Sequence, residues 1–320
     1  MKHFLVTGGC GFMGSNFIQT VLTQIPDAKV VNLDKITYAA NLDVVDSLPR
    51  TVRARYKFVK GDIANTPLVL RLMKKCDYVV NFAAETHVDR SIHNGADTFV
   101  HSNIVGVVSL LNALRKSPNV KKFVQISTDE VWGDLPIKSK KKFDENWPLA
   151  PNSPYSASKA SAELMVRAFY KTYKLPVVTS RSVNNYGPRQ FPEKLIPLFI
   201  THAMAGKKLP LYGRGENVRD WLYVGDHSQA IMTILAKGKI GEVYGVSRGE
   251  ECSNLEIAKK ILKILNKPTS MIKSVEDRPG HDRRYSVDSS KLRKLGWRPK
   301  YNLNLALSAT IDWYKTQKNF

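Results

Sequence analysis

An α/β chain, with a doubly wound parallel sheet and a smaller interleaved C-terminal lobe, is what this 320-residue sequence predicts. Three observations carry that expectation. Short apolar runs alternate with segments of helical spacing from residue 3 onward. A glycine-rich turn, TGGCGFMG at 7–14, closes the first run and opens the first helical segment. In the last third the alternation gives way to longer helical stretches and charged loops. Short buried strands separated by helices pair in parallel, with helices on both faces and ligand sites at the strands' carboxyl ends.

HFLVTG reads as the first strand and SNFIQTVLTQI as the helix after it. KVVNLD is a second buried strand ending in an acid; YKFVKGDI, DYVVNFAA and KKFVQIST follow, each after a helix-compatible segment. PVVTSRSV and GEVYGVS read as later strands of the same sheet. Beyond them, FPEKLIPLFITHAMAGK reads as a helix beginning at its proline, and LEIAKKILKILNK repeats apolar residues at helical spacing. RPGHDRRY and LGWRP are loop-like. The expected division is a first domain of residues 1–187 and 220–249, with a lobe of 188–219 and 250–320 closing over a cleft.

A hydrophobic fraction of 43% is enough for a globular core. No apolar run approaches the roughly 20 residues that span a bilayer. MKHFLVTGG enters a strand directly, without the pattern of an export signal, so a cytoplasmic protein is expected. Cys10, Cys76 and Cys252 are far apart and odd in number, which suits reduced thiols. No metal is expected, since the histidines lack ligand spacing. The net charge of +21 exceeds what any anionic substrate needs. Part of it lies in Lys138-Ser-Lys-Lys-Lys142 and the basic last third, read as solvated surface. No nucleic-acid motif accompanies it, so a nucleic-acid partner is not expected.

Gly8, Gly11 and Gly14 allow a tight turn, close approach to phosphate and close packing on the sheet, and the next helix offers free N–H groups to a pyrophosphate. Asp34 ends the second strand, where an acid binds the adenosine ribose hydroxyls and repels a ribose phosphate, so NAD is favoured over NADP on a Rossmann-type sheet. Asp62 and Ile63 close the third strand within reach of the adenine. Tyr155 and Lys159 stand four apart on one helix face, where an ammonium is expected to lower the phenol's pKa. Thr128, Asp129 and Glu130 follow a buried strand. Two adjacent carboxyls with pKa values driven apart supply an acid and a base; the same residues also suit a helix cap.

VNLDKITYAANL, FAAETHVDRSI, ISTDEVWGDLP, SPYSASKASAE, NNYGPRQFPEKLIPL, YGRGENVRDWLYVGDH and DRPGHDRRY carry a specific resemblance. From residue 5 to LGWRP at 295–299 the chain resembles the extended short-chain dehydrogenase/reductases, and within them the dTDP-glucose 4,6-dehydratases. The resemblance implies that Tyr155, with Lys159 and Thr128, deprotonates the sugar 4-hydroxyl while hydride passes to a retained NAD. Glu130 then takes the carbon-5 proton and Asp129 protonates the departing 6-hydroxyl. It assigns Gly8, Gly11, Phe12, Met13, Gly14, Asp34, Lys35, Thr37, Asp62, Ile63, Phe82, Ala83, Ala84, Thr86, Ser102, Tyr155, Lys159 and Asn184 to the cofactor. It assigns Thr86, Thr128, Asn185, Lys194, Leu195, Tyr212, Arg219, Asn254, Arg278 and His281 to the nucleotide-sugar substrate, with Arg219 and Arg278 suited to its diphosphate. A homodimer is implied, formed by the helices after residue 100 and around YSASKASAELMVRAFYKTY.

Some positions depart from the family pattern. Trp132 replaces the usual tyrosine, Cys10 and Met13 replace Ala and Ile, and YGVSRGEE lacks the usual YNIGG turn. They bear on substrate fit, and UDP-glucose remains an alternative to dTDP-glucose. A nucleotide-sugar epimerase or decarboxylase would share Tyr155 and Lys159 but has no need of the Asp129–Glu130 pair.

Overall fold

A computed structural model describes residues 1–42 and 48–317 of the chain. Twelve strands are described: β1 (Lys2–Thr7), β2 (Ala28–Asp34), β3 (Tyr56–Lys60), β4 (Tyr78–Asn81), β5 (Lys122–Thr128), β6 (Val177–Ser182), β7 (Asn184–Tyr186), β8 (Leu209–Tyr212), β9 (Val218–Tyr223), β10 (Val243–Val246), β11 (Glu251–Ser253) and β12 (Ile272–Val275). The seven runs expected to share a sheet do so, all in parallel, in the order β10-β6-β5-β4-β1-β2-β3. Alternate residues face opposite layers. Val6, Val80, Val124 and Val178 pack towards helices Phe12–Gln24 and Val224–Lys237. Leu5, Val79, Phe123 and Val177 pack towards helices Thr66–Met73, Gly106–Arg115 and Pro154–Tyr173. Burial on both faces is why these strands read as unbroken apolar runs.

Strand order reverses between β1 and β4, and a crevice opens at their carboxyl ends. Helix Pro154–Tyr173, which carries Tyr155 and Lys159, starts beside it with a local start signal. Ser153 caps it in a reciprocal box with Ser156, and Pro154 occupies the first turn.

A separate apolar cluster, including Phe199, Leu211, Trp221, Ile257, Ile261, Leu307 and Ile311, underlies the smaller sheets β11-β9-β7 and β12-β8. Its helices are Leu195–Met204, Asn254–Ile264 and Leu303–Thr316. The first starts three residues later than expected from its proline. Lys194 stays extended (ψ 152°) and its ammonium reaches the Thr86 carbonyl at 2.9 Å, so a tertiary contact sets that boundary. A π-helical turn, Val100–Val105, runs directly into helix Gly106–Arg115, a feature the periodicity does not announce.

Candidate active site

The crevice is a cleft of about 1220 Å³, open to solvent, floored by the glycine turn. Its backbone must pass close to its neighbours: a Cβ on Gly8 would lie 2.5 Å from Ala83 N, and one on Gly14 would lie 2.3 Å from Gly8 O. Helix Phe12–Gln24 begins with no side-chain cap and no acid in its first turn, so its leading N–H groups face the cleft uncompensated. The Asp34 carboxylate is held at the edge by the N–H groups of Cys10 (2.9 Å) and Ile36 (2.8 Å), the latter at φ 59°. Lys35 reaches Ser102 at 2.8 Å from the far side.

Every residue of the expected cofactor set lines this cleft except Asn184, which stands at the start of β7. Strand β7 joins the smaller sheet through β9, and that pairing carries Asn184 away from the cleft wall. Ala39, Ala40, Glu85, Ile126, Ser127, Gln190, Phe191 and Glu193 line it too; they lie within the strings that carry the resemblance but are not among the expected site residues. Chain crossing brings several together: Tyr38 donates to Glu193 at 2.8 Å, meets Phe191 edge-on and lies under the Arg90 guanidinium at 3.5 Å. In the π-helical turn, Asn103 bonds both Glu85 and Ser158, tying the cleft wall to helix Pro154–Tyr173.

At the end of β5, Thr128 caps the short helix Asp129–Trp132, accepting from Glu130 N at 3.3 Å and donating to Asp129 at 3.2 Å. Because the threonine is the cap, both acids are left for other work. Asp129 is buried, with Oδ2 unpartnered among the described residues. Burial, then the charge of Glu130, pushes its carboxyl well above the usual range, which favours a proton donor. Burial raises Glu130 as well, but Arg278, Lys194 and Arg219 oppose that rise, so it is raised less strongly than Asp129 and is the better placed of the two to act as a base. The two environments thus separate the two acids.

Tyr155 and Lys159 are both buried on the same helix, but the expected depression of the phenol is not found. Burial, with Glu130 and Asp129 nearby, pushes the phenol up, opposed by a hydrogen bond with Thr128. The Lys159 ammonium donates instead to the Ile126 carbonyl at 2.6 Å, and burial brings its own pKa down to about 8.

Of the expected substrate set, Thr86 and Lys194 line the cleft, and Lys194, Arg219 and Arg278 surround Glu130. Arg278 and Tyr212 both bond Asp89, and His281 bonds Asp277 at 2.6 Å. Arg219 is more engaged than a free diphosphate ligand would be: it donates to the carbonyls of Val218 and Asp282, each at 2.8 Å, and lies over the Tyr285 ring. Leu195 and Asn254 open helices, and Asn185 donates to Ser182 and Val183. The side-chain carbonyls of Asn185 and Asn254 are buried without a partner among the described residues.

Residues 5–310 match the family model for GDP-mannose 4,6 dehydratase. The chain belongs to the GDP-mannose 4,6 dehydratase family. It is 48% identical to a dTDP-glucose 4,6-dehydratase of Xanthomonas campestris pv. campestris, with 100% of this chain and 95% of that relative aligned. Its fold matches the NAD complex of a dTDP-glucose 4,6-dehydratase from Bacillus anthracis (TM-score 0.91, 46% identity, 100% and 98% covered). It equally matches one from Streptomyces venezuelae with NAD and dTDP bound (TM-score 0.92, 43% identity, 98% and 97% covered). These relatives share the Rossmann-type sheet and smaller lobe of the extended short-chain dehydrogenase/reductases. No helix among the described residues is long and apolar enough to cross a membrane.

Proposed function

We propose that this chain is an NAD-dependent hydro-lyase that converts dTDP-glucose to dTDP-4-keto-6-deoxy-glucose. The observation that carries the reading is the Asp129–Glu130 pair, the first buried and the second half-buried among cations, beside Tyr155 at the mouth of a dinucleotide cleft. Oxidation or 4-epimerisation alone needs only the tyrosine.

The cleft fits NAD. The uncapped helix start and the close-packed glycines suit a pyrophosphate, and the fixed Asp34 carboxylate suits ribose hydroxyls. NAD held there would supply the hydride acceptor for carbon 4 and, once reduced, the hydride donor for carbon 6. Tyr155 takes the 4-hydroxyl proton as the phenolate, the form that the cationic nicotinamide of bound NAD would favour against burial, with Thr128 at the phenolic oxygen. The ketone at carbon 4 acidifies carbon 5, and Glu130, whose rise on burial Arg278, Lys194 and Arg219 oppose, removes that proton and returns one to carbon 5 when carbon 6 is reduced. Asp129, kept protonated by burial, delivers its proton to the leaving 6-hydroxyl, which departs as water. Asn185 and Asn254 offer their unpartnered carbonyls to the substrate, and Arg278 its guanidinium to the diphosphate.

The same reading places the protein in the cytoplasm, in deoxysugar synthesis such as that of rhamnose, and as a homodimer. The stretch Asp97–Arg115 and helix Pro154–Tyr173 expose Val100, Val105, Leu164 and Tyr173, an apolar face suited to that contact. The test is a mass-spectrometric competition between dTDP-glucose and UDP-glucose on purified protein without added NAD. Earlier loss of water from dTDP-glucose is expected. Faster loss from UDP-glucose overturns the base assignment, and no loss from either, repeated with NAD, overturns the reaction.

A further inference from the structure

Two residues of the expected substrate set, from two different segments of the smaller lobe, converge on one carboxylate, Asp89, to which the sequence assigns no role. Arg278 Nη1 donates to Asp89 Oδ1 at 3.0 Å, and the Tyr212 hydroxyl donates to Asp89 Oδ2 at 3.1 Å. Asp89 lies in helix Val88–His93, just past the cleft wall Phe82–Thr86, whereas Tyr212 ends β8 and Arg278 follows β12. The side chains of Arg278 and Asp89 are 19% and 25% exposed, so the pair is not a solvated surface contact. Asp277 fixes the arginine's loop from behind, accepting from Arg278 N at 2.9 Å and bonding His281 at 2.6 Å. The Tyr212 ring meets His281 edge-on, so the loop and the end of β8 form one surface facing Asp89. Burial pulls the Asp89 carboxyl up, yet Arg278, His87 and Tyr212 together hold it below its usual range, so it stays charged.

A carboxylate presents two acceptor oxygens and a negative charge, as one edge of a phosphate does. We infer that Asp89 is a built-in stand-in for the substrate's diphosphate, holding Arg278 and Tyr212 across the cleft and giving them up when the nucleotide enters. The inference rests on the proposed role of Arg278 at the diphosphate. Two anions cannot share one half-buried guanidinium without mutual repulsion, so nucleotide affinity is what remains after Asp89 is displaced. The arrangement keeps a buried cation paired in the free enzyme and opposes weakly held anions, which cannot repay the lost contact.

The test is calorimetric titration of dTDP into the NAD-loaded full chain, for wild type, Asp89→Asn, Arg278→Met and the double variant, with thermal melts reporting folding. Asparagine keeps the size and removes the charge, so binding tightens by roughly fivefold, the weight of one partly exposed ion pair. Arg278→Met weakens binding, and in that background Asp89→Asn brings no gain. Asp89→Ser reads the same quantity if the asparagine variant does not fold. Unchanged or weaker binding in Asp89→Asn, with Arg278→Met still weaker, overturns the stand-in alone. Unaltered binding in Arg278→Met overturns the diphosphate role on which it rests.

Discussion

At the scale of the residue, the chemistry turns on how differently two neighbouring acids are placed. Asp129 is buried beside a like charge, while Glu130 looks towards Lys194, Arg219 and Arg278. Replacing Glu130 by glutamine removes the base and leaves Tyr155 in place. Water loss should fall by roughly 10²–10⁴-fold, the usual worth of a general base. Oxidation at carbon 4 should persist, seen as reduced-nicotinamide absorbance that builds on mixing with dTDP-glucose. Undiminished water loss would remove Glu130 from the mechanism. The Tyr155 phenol shows what residue types alone leave open. Lys159 is at the right spacing, but one of its three N–H groups goes to Ile126 O, a contact that no motif encodes.

At the scale of the element, helix Pro154–Tyr173 carries both Tyr155 and Lys159 and is anchored at two points. Ser153 caps its start, and Ser153→Ala should cost about 1 kcal/mol, read as a lower midpoint in thermal unfolding. Further along, Glu163 accepts from Arg181 of β6 at 2.9 Å, and that guanidinium lies 4.6 Å from the Trp132 ring centre. Trp132 in turn stacks on Phe143. One buried cation therefore joins the helix of Tyr155, the sheet, and the short helix of Asp129 and Glu130. Glu163→Gln strands that cation, and a loss of about 3–5 kcal/mol is expected in urea unfolding, the usual cost of breaking a buried pair. A loss below 1 kcal/mol would show that water reaches Arg181. Trp132, a departure from the family pattern, thus belongs to the packing behind the acids.

At the scale of the whole molecule, the layer between the large sheet and helix Val224–Lys237 encloses His227, fully buried and without a hydrogen-bond partner among the described residues. Burial lowers its pKa from 6.5 to about 3. Between those values the unfolded chain binds a proton that the native state refuses, so stability falls as pH drops from 6.5 towards 3. The slope from this group is at most about 1.4 kcal/mol per pH unit. His227→Phe should flatten the pH dependence of urea unfolding by that amount, and an unchanged slope would mean the imidazole is hydrated in the native state. By itself the sequence determined the parallel sheet, its glycine turn, the strand-end Asp34 and the spacing of Tyr155 and Lys159, because strand burial, turn geometry and helical period are local and leave local patterns. The tertiary structure alone decided which partners those groups meet. It put Asn184 in the smaller sheet, bound Lys159 to a carbonyl, delayed the helix at Leu195, and set Asp89 between Arg278 and Tyr212. Those contacts join residues tens to nearly two hundred positions apart, and side-chain pairing across such separations is chosen by packing and desolvation once the layers have assembled.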